Sequence, residues 1–194
     1  KRHSDAIRWC EKGTRQGVTV CMVDLGLVYL YGDRGAKEDD AKALDLFKMA
    51  AEAGDEYGAY NVGRCFYNGW GCEKNYSQAF SWFNQAFKGG HQTSKSYLAQ
   101  CYFWGRGVEI NYEMAVNMMN GLIKERLDYP KELMGYCCLY GKGTGVDTIR
   151  GKRLLEEAAQ ADKNMAWKFL GDMYDGAVGV PENIPMAVSC YQKA

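Results

Sequence analysis

Eight cysteines are the side chains of this 194-residue chain best suited to chemistry, because a thiol can bind a metal, form a disulfide or act as a nucleophile. They are scattered without a CxxC pair, and His3 and His91 are the only imidazoles, so the ligand spacing of a zinc site is missing. We expect no metal, and we interpret the thiols as small buried side chains in a reducing compartment. This favours a cytoplasmic over a secreted or lumenal location, and a disulfide between Cys65 and Cys72 remains an alternative.

Signatures of catalysis are also missing from the sequence. It contains no strand–turn–helix nucleophile elbow, phosphate loop or dinucleotide fingerprint. His91 follows Gly90 at a predicted helix start, where we expect it to be solvated, and neither histidine belongs to a periodic grouping with Ser, Cys and an acid. The sequence therefore predicts that the chain is not an enzyme and uses no cofactor.

Composition narrows the classes of partner. Basic and acidic residues balance at 24 each without blocks of like charge, which argues against nucleic-acid binding through phosphate contacts. The apolar runs are far shorter than the roughly 20 residues of a membrane span, so we expect no membrane insertion. With 47% apolar residues the whole length should fold. Since the chain starts at Lys1 rather than Met, we expect it to be a fragment of a longer protein.

An internal repeat of about 36 residues is the strongest pattern in the chain. A small residue recurs after an apolar one, at intervals of 37, 36, 36 and 36 residues, in Gly26, Gly63, Ala99, Gly135 and Gly171. A first glycine follows at Gly32, Gly69, Gly105, Gly141 and, one place early, Gly176; a second follows at Gly35, Gly71, Gly107, Gly143 and Gly179. A column of Asp or Asn residues comes next, at Asp39, Asn75, Asn111, Asp147 and Asn183. Four residues later stands a column of small residues, at Ala43, Ala79, Ala115, Gly151 and Ala187.

These columns predict two antiparallel helices per repeat. Apolar residues three and four apart precede the glycines, the glycines end the first helix, and the Asp/Asn residue caps the second. Asn75 and Gln78 match the spacing of a capping box. The mid-helix small residues should pack closely on the Ala43, Ala79 and Ala115 column. Because one hairpin cannot bury its own apolar stripe, neighbouring repeats must stack into an α-solenoid.

The pattern Leu-Gly-x-x-Tyr-x-x-Gly-x-Gly-Val-x-x-Asn-x-x-x-Ala-x-x-Trp/Phe-x-x-Ala resembles the sel-1-like repeat family, a relative of the tetratricopeptide repeats. It can be read in VGRCFYNGWGCEKNYSQAFSWFNQAF and in LGDMYDGAVGVPENIPMAVSCYQKA. The resemblance implies an all-α fold, a right-handed α-α superhelix of about five repeats. It also implies adaptor or scaffold work. We place the repeats at 19–54, 55–90, 91–126, 127–161 and 162–194, with 1–18 as the end of a preceding repeat; Arg126 stands where another repeat would have a terminating glycine.

A partner should bind the concave surface, which first helices line in solenoids of this kind. A rotation of 100° per residue predicts which first-helix positions face away from the hairpin. From these we select as partner-binding residues Tyr60, Asn61, Arg64, Tyr67, Tyr97, Gln100, Phe103, Trp104, Tyr136 and Tyr140. Tyr67, Phe103 and Leu139 could instead be buried between repeats. Asn61, Arg64 and Gln100 could instead be solvated surface residues without a partner.

The predicted partner is therefore a protein or a peptide, held by a non-catalytic scaffold. Self-association remains open, and so does a second interpretation, a regulatory or assembly segment of a larger enzyme or membrane-associated complex.

The recurring thiols Cys65, Cys101 and Cys137 share one column at the edge of the packed side, and we interpret them as buried filler.

Overall fold

The computed structural model describes residues 2–33, 36–127, 129–161, 163–176 and 180–194, with side chains from residue 6 onward. These parts of the chain contain eleven helices and no strand. The first six helices are α1 (Arg2–Arg15), α2 (Thr19–Tyr31), α3 (Asp40–Glu52), α4 (Glu56–Asn68), α5 (Tyr76–Lys88) and α6 (Ser94–Trp104). The other five are α7 (Tyr112–Lys124), α8 (Lys131–Tyr140), α9 (Thr148–Gln160), α10 (Asn164–Tyr174) and α11 (Ile184–Tyr191).

The chain divides into two compact units. Unit 1 comprises Lys1–Cys101 with Arg106–Glu109, and unit 2 comprises Tyr102–Gly105 with Ile110–Ala194. In unit 1, α2 packs on α3 and α4 packs on α5; in unit 2, α8 packs on α9 and α10 packs on α11. Fully buried side chains such as Phe47 and Phe83 in unit 1 and Leu155 in unit 2 fill the space between paired helices.

Each second helix begins at the Asp/Asn column that the sequence predicts. The cap carboxylate or amide oxygen accepts a hydrogen bond from the backbone N–H three residues later, at 2.9–3.2 Å, in all five repeats. The caps are Asp39, Asn75, Asn111, Asp147 and Asn183. The predicted start signal is therefore confirmed.

The backbone N–H of each cap residue makes a second bond, across the hairpin. It donates to a carbonyl oxygen near the end of the first helix, at 2.7–2.9 Å. The acceptors are Tyr29, Phe66, Tyr102, Cys138 and Tyr174. For Asn75 this corrects the capping-box prediction, because the Phe66 carbonyl takes the amide proton that the Gln78 side chain was expected to bind. One residue thus starts the second helix and ties it to the first.

The second glycine of each turn has a role that the sequence does not reveal. Gly71, Gly107 and Gly143 all have positive φ, between 67° and 76°. Each also lies against the backbone at the start of the second helix of the preceding repeat, so that a β-carbon on Gly71 would overlap the Asp40 carbonyl group. The glycines therefore let neighbouring repeats approach each other, in addition to turning the chain. The corresponding Gly35 and Gly179 lie outside the described residues.

The mid-helix glycines pack closely on the partner helix, with their nearest contacts one turn beyond the predicted column. In the fourth repeat, Gly135 also lies against the backbone of Gly151, which belongs to that column. Gly26 faces the ring of Phe47 and Gly63 faces that of Phe83; Leu155 and Tyr191 take the same position in two later repeats. These side chains lie one turn beyond the Ala43, Ala79 and Ala115 column, which is itself fully buried. The correction follows from size, since a ring or a branched chain can reach across to a glycine and a methyl group cannot.

Arg126 takes the backbone conformation of the glycine that its repeat lacks. Its φ of 56° is the one positive value at a non-glycine position in the described chain, and Gly54 and Gly90 end the second helices of their repeats at 89° and 113°. A left-handed non-glycine residue costs about 1–2 kcal/mol, so this repeat closes with backbone strain that its neighbours avoid.

We predict that Gly71→Ala destabilises the protein more than Gly54→Ala does. Both residues have positive φ, but a methyl group on Gly54 meets no atom within 4 Å, while one on Gly71 overlaps the start of α3. We expect a loss of about 1 kcal/mol for Gly54→Ala from backbone strain, and about 3 kcal/mol for Gly71→Ala once overpacking is added. Urea unfolding followed by circular dichroism measures both; equal losses would contradict the stacking role of Gly71.

Candidate functional site

The residues predicted to bind a partner divide into an accessible group and a buried group. Tyr60, Arg64, Tyr97, Gln100, Tyr136 and Tyr140 are half-buried, and the Trp104 side chain is exposed. Asn61, Tyr67 and Phe103 are buried, with 4%, 8% and 3% of their surface exposed. The prediction that all these first-helix positions face outward is therefore wrong for those three, which cannot themselves offer contact area. We call the accessible outward positions of the first helices the first-helix face.

Tyr67 is buried because its ring packs between the second helix of its own repeat and the first helix of the next repeat. Its ring meets Tyr76 and Tyr97 edge-on, with centroids 5.3 and 5.4 Å apart. The hydroxyl accepts a hydrogen bond from the Arg106 guanidinium and donates to Oε1 of Gln100 at 3.5 Å. Burial raises the pKa of the Tyr67 phenol, which keeps it neutral and able to donate. Tyr67 thus acts by positioning Gln100 and Arg106.

Phe103 occupies the equivalent position in unit 2. Its ring contacts Trp104, Tyr112 and Tyr136 edge-on, at centroid distances of 4.6, 5.3 and 5.3 Å. The ring centroid of Tyr136 in turn lies 4.5 Å from that of Tyr140. Edge-to-face contacts of this kind hold rings in fixed orientations. The half-buried tyrosines of unit 2 are therefore presented on a rigid support, and Leu139, for which packing between repeats was the competing interpretation, is fully buried within it.

Arg64 is the centre of the most organised part of the face. Nη2 donates to the Tyr31 hydroxyl at 2.8 Å, and Nη1 donates to Oδ1 of Asn61 at 3.0 Å. The guanidinium carbon lies 5.7 Å from the centroid of Tyr60 and 5.1 Å from that of Trp70. We call Tyr31, Tyr60, Asn61, Arg64 and Trp70 the Arg64 cluster.

The buried Asn61 explains how this cluster is fixed. Its amide donates to the Tyr57 carbonyl oxygen at 2.9 Å, which orients its oxygen toward Arg64. The side chain is thus a positioning residue, and neither the solvated-surface nor the partner-contact interpretation applies to it. The guanidinium group of Arg64 is hydrogen-bonded through two nitrogens and lies over two rings. Arg64 therefore has little rotamer freedom left to lose on binding.

Two members of the cluster were missed by sequence reasoning. Tyr31, which is 58% exposed, lies in the same repeat column as Trp104, but in the first repeat, where the sequence analysis predicts no contact residue. Trp70 lies between the two glycines of its turn, in the same column as Arg106. Including the first repeat would find Tyr31, and extending the helical face by one turn into the glycine segment would find Trp70.

His91 is not solvated, as the sequence suggested, but only 8% exposed. Its ring stacks on Tyr60 at 4.2 Å and meets Tyr57 edge-on at 4.8 Å. Nδ1 lies 2.9 Å from Oγ of Ser94, in the first turn of α6. Burial lowers the pKa of His91, against the opposing effect of Glu56, so the neutral ring is favoured. The imidazole therefore packs against the ring of Tyr60.

The cysteine column is buried filler, as predicted. Cys65, Cys101 and Cys137 have no exposed surface, and burial raises the pKa of each thiol to about 12. Cys65 and Cys72 are both free thiols, so the structure holds no disulfide between them. Among the described residues there is no group of three or more His, Cys, Asp or Glu side chains placed to hold a metal ion.

No helix in the described parts of the chain combines the length and the apolar character that a membrane span needs.

The sequence family follows from five matching segments. The profile of the Sel1 repeat matches residues 19–55, 57–91, 94–120, 132–163 and 168–194. These segments cover most of the chain, so it belongs to the Sel1 repeat family, as the sequence pattern indicated. Sel1 repeat proteins are generally protein–protein interaction scaffolds.

Solved structures show the same fold. A Sel1 repeat protein from Oxalobacter formigenes matches 96% of this chain over 74% of its own length, with 23% identity and a TM-score of 0.73. A protective antigen of uropathogenic Escherichia coli, which displays an SLR fold, matches 96% of this chain over 40% of its own, with 23% identity and a TM-score of 0.69. The predicted fold class, an all-α solenoid of helix pairs, is confirmed.

A curated relative matches a shorter stretch. An F-box protein of Arabidopsis thaliana is 48% identical over 52 residues, which is 27% of this chain and 13% of that protein. The match thus spans about one eighth of the length of this relative.

We predict that His91→Gln weakens the dependence of stability on pH between 7.5 and 5.5. The folded-state pKa of His91 is lowered, so the unfolded chain binds the proton more readily as pH falls below about 6.5. The wild-type protein should lose up to about 1.4 kcal/mol per pH unit in this window, until the folded pKa is reached. Urea unfolding at several pH values measures the slope, and parallel curves for the two proteins would contradict burial of a neutral His91.

Proposed function

We propose that this chain is a non-catalytic scaffold or adaptor that binds a peptide or a partner protein on its first-helix face. The observation that carries this proposal is the arrangement of outward first-helix residues in each unit. Arg64 in unit 1 and Trp104 in unit 2 lie at accessible positions, and both rest on rings that fix their orientation. Aromatic and arginine side chains that are already ordered supply contact area at a low entropic cost.

Hydrogen-bonding groups beside these anchors suit a polypeptide ligand. Gln100 is half-buried next to Tyr97, and its amide nitrogen donates to the Ser96 carbonyl oxygen at 3.3 Å. An amide fixed in this way can pair with the backbone of an extended segment. We include Tyr60, Tyr97, Tyr136 and Tyr140 among the contact residues, and we assign Asn61, Tyr67 and Phe103 to the layer that holds them.

A second candidate is a regulatory or assembly segment of a larger enzyme or membrane-associated complex. The short match to an F-box protein supports it, because the matching stretch is 13% of that much longer chain. The two candidates share the same surface and differ in whether the partner is a separate protein or a neighbouring part of a larger one.

The test is retention of a partner by the tagged protein, purified from the cells in which it occurs. We predict that one stoichiometric partner co-purifies with the wild-type protein and is lost when Arg64→Ala and Trp104→Ala are combined, because both anchors are removed. A control with Ser81→Ala and Gln85→Ala, at exposed positions of α5, should retain it. Equal recovery with the wild-type protein and the anchor variant, both folded by circular dichroism, would refute the first-helix face as the binding site.

A further inference from the structure

We propose that the Arg64 cluster binds an acidic side chain, an Asp or Glu in an extended segment of the partner polypeptide. This inference rests on the proposed function and specifies the chemistry of the partner. It follows from three properties of the site: the charge of the surface around Arg64, the unmatched charge of Arg64 itself, and the fixed orientation of its guanidinium group.

The first-helix face on α4 and on the part of α6 in unit 1 has no negative charge of its own. Its accessible positions carry one cation and no carboxylate: Tyr60, Arg64, Asn68, Ser96, Tyr97 and Gln100. Acidic residues of the first-helix face in this unit lie on and after α2, where Asp24 and Asp33 line a shallow depression beside Tyr31. The potential of the surface therefore favours an anion at α4 and disfavours one at α2.

The guanidinium of Arg64 has no counter-ion among the described residues. Its hydrogen-bond partners are the neutral oxygens of Tyr31 and Asn61, and its Nε is buried without an acceptor. A half-buried charge is normally paired, because burial removes part of its hydration. Since the protein supplies no carboxylate here, a partner that brings one would gain a charge-assisted hydrogen bond.

The orientation of Arg64 is already set for such a contact. The rings of Tyr60 and Trp70 hold the guanidinium plane, and the bonds to Tyr31 and Asn61 fix its rotation. An arginine on an open surface would lose side-chain entropy on pairing, which is why exposed ion pairs contribute little. Here that entropy is lost during folding, so the pair should strengthen binding measurably.

The experiment is selection of a displayed library of random twelve-residue peptides on three proteins: the wild type, Arg64→Glu, and Lys88→Glu as a matched control. Lys88 is exposed in the last turn of α5, away from the cluster. We expect wild type and Lys88→Glu to enrich Asp and Glu at one position of the selected peptides, and Arg64→Glu to lose that enrichment. Circular dichroism and thermal unfolding show whether Arg64→Glu folds. Arg64→Lys serves as a second variant, which keeps the positive charge but loses the planar guanidinium group. It should bind the selected peptides more weakly than the wild type does.

A double-mutant cycle then tests the contact directly. Replacing the enriched Asp by Asn in one selected peptide should weaken binding to the wild type by about tenfold, and binding to Arg64→Gln by less than twofold, measured by fluorescence anisotropy. Added salt should weaken the wild-type complex more than the Arg64→Gln complex.

Two results would overturn the inference: selected peptides without acidic enrichment, or equal effects of the Asp-to-Asn change on both proteins. Failure of the proposed function is read separately, from a partner that stays bound when Arg64 and Trp104 are both replaced. If the selected peptides lack acidic enrichment but still need Arg64 and Trp104 for binding, the scaffold proposal stands and only the acidic ligand is refuted.

Discussion

Each repeat depends on the backbone amide of the residue that caps its second helix. The side chain of this cap residue accepts a hydrogen bond from an amide in the first turn of the second helix. Its backbone N–H donates to a carbonyl oxygen near the end of the first helix. Asn75 shows both bonds, and the same pair recurs in all five repeats. Because both helices bond to one residue, these two bonds constrain where the second helix begins relative to the end of the first.

That fixed hairpin explains how the first-helix face is built. With the hairpin closed, rings such as Phe83 reach the mid-helix glycine of the partner, and the second glycine lets the next turn rest on the preceding repeat. Close stacking then brings a tyrosine of one first helix to an arginine of the next repeat. Tyr31 meets Arg64 in α4, and Tyr67 meets Arg106 in the turn after α6. The polar contacts of the face are thus consequences of the distance between repeats.

Periodicity made much of this structure predictable from one sequence. The helix pairs, the caps at Asp39 and its equivalents and the buried cysteine column follow from residue types at fixed spacing. The burial of Tyr67 and His91 could not be predicted in this way, because it depends on neighbouring repeats, and a helical projection describes one helix alone. The contact predicted for the mid-helix glycine was incomplete for a related reason, since a longer side chain one turn further along the partner helix comes nearest to it.

Amide hydrogen exchange tests the cap-centred account most directly. The N–H groups of Asn75 and Asp147, one in each unit, lie at the ends of turns, yet both are bonded to a first-helix carbonyl. We predict that they exchange as slowly as amides inside the helices, such as that of Val62, and much more slowly than other amides of the same turns. Cap amides that exchange as fast as their turn neighbours would contradict the account.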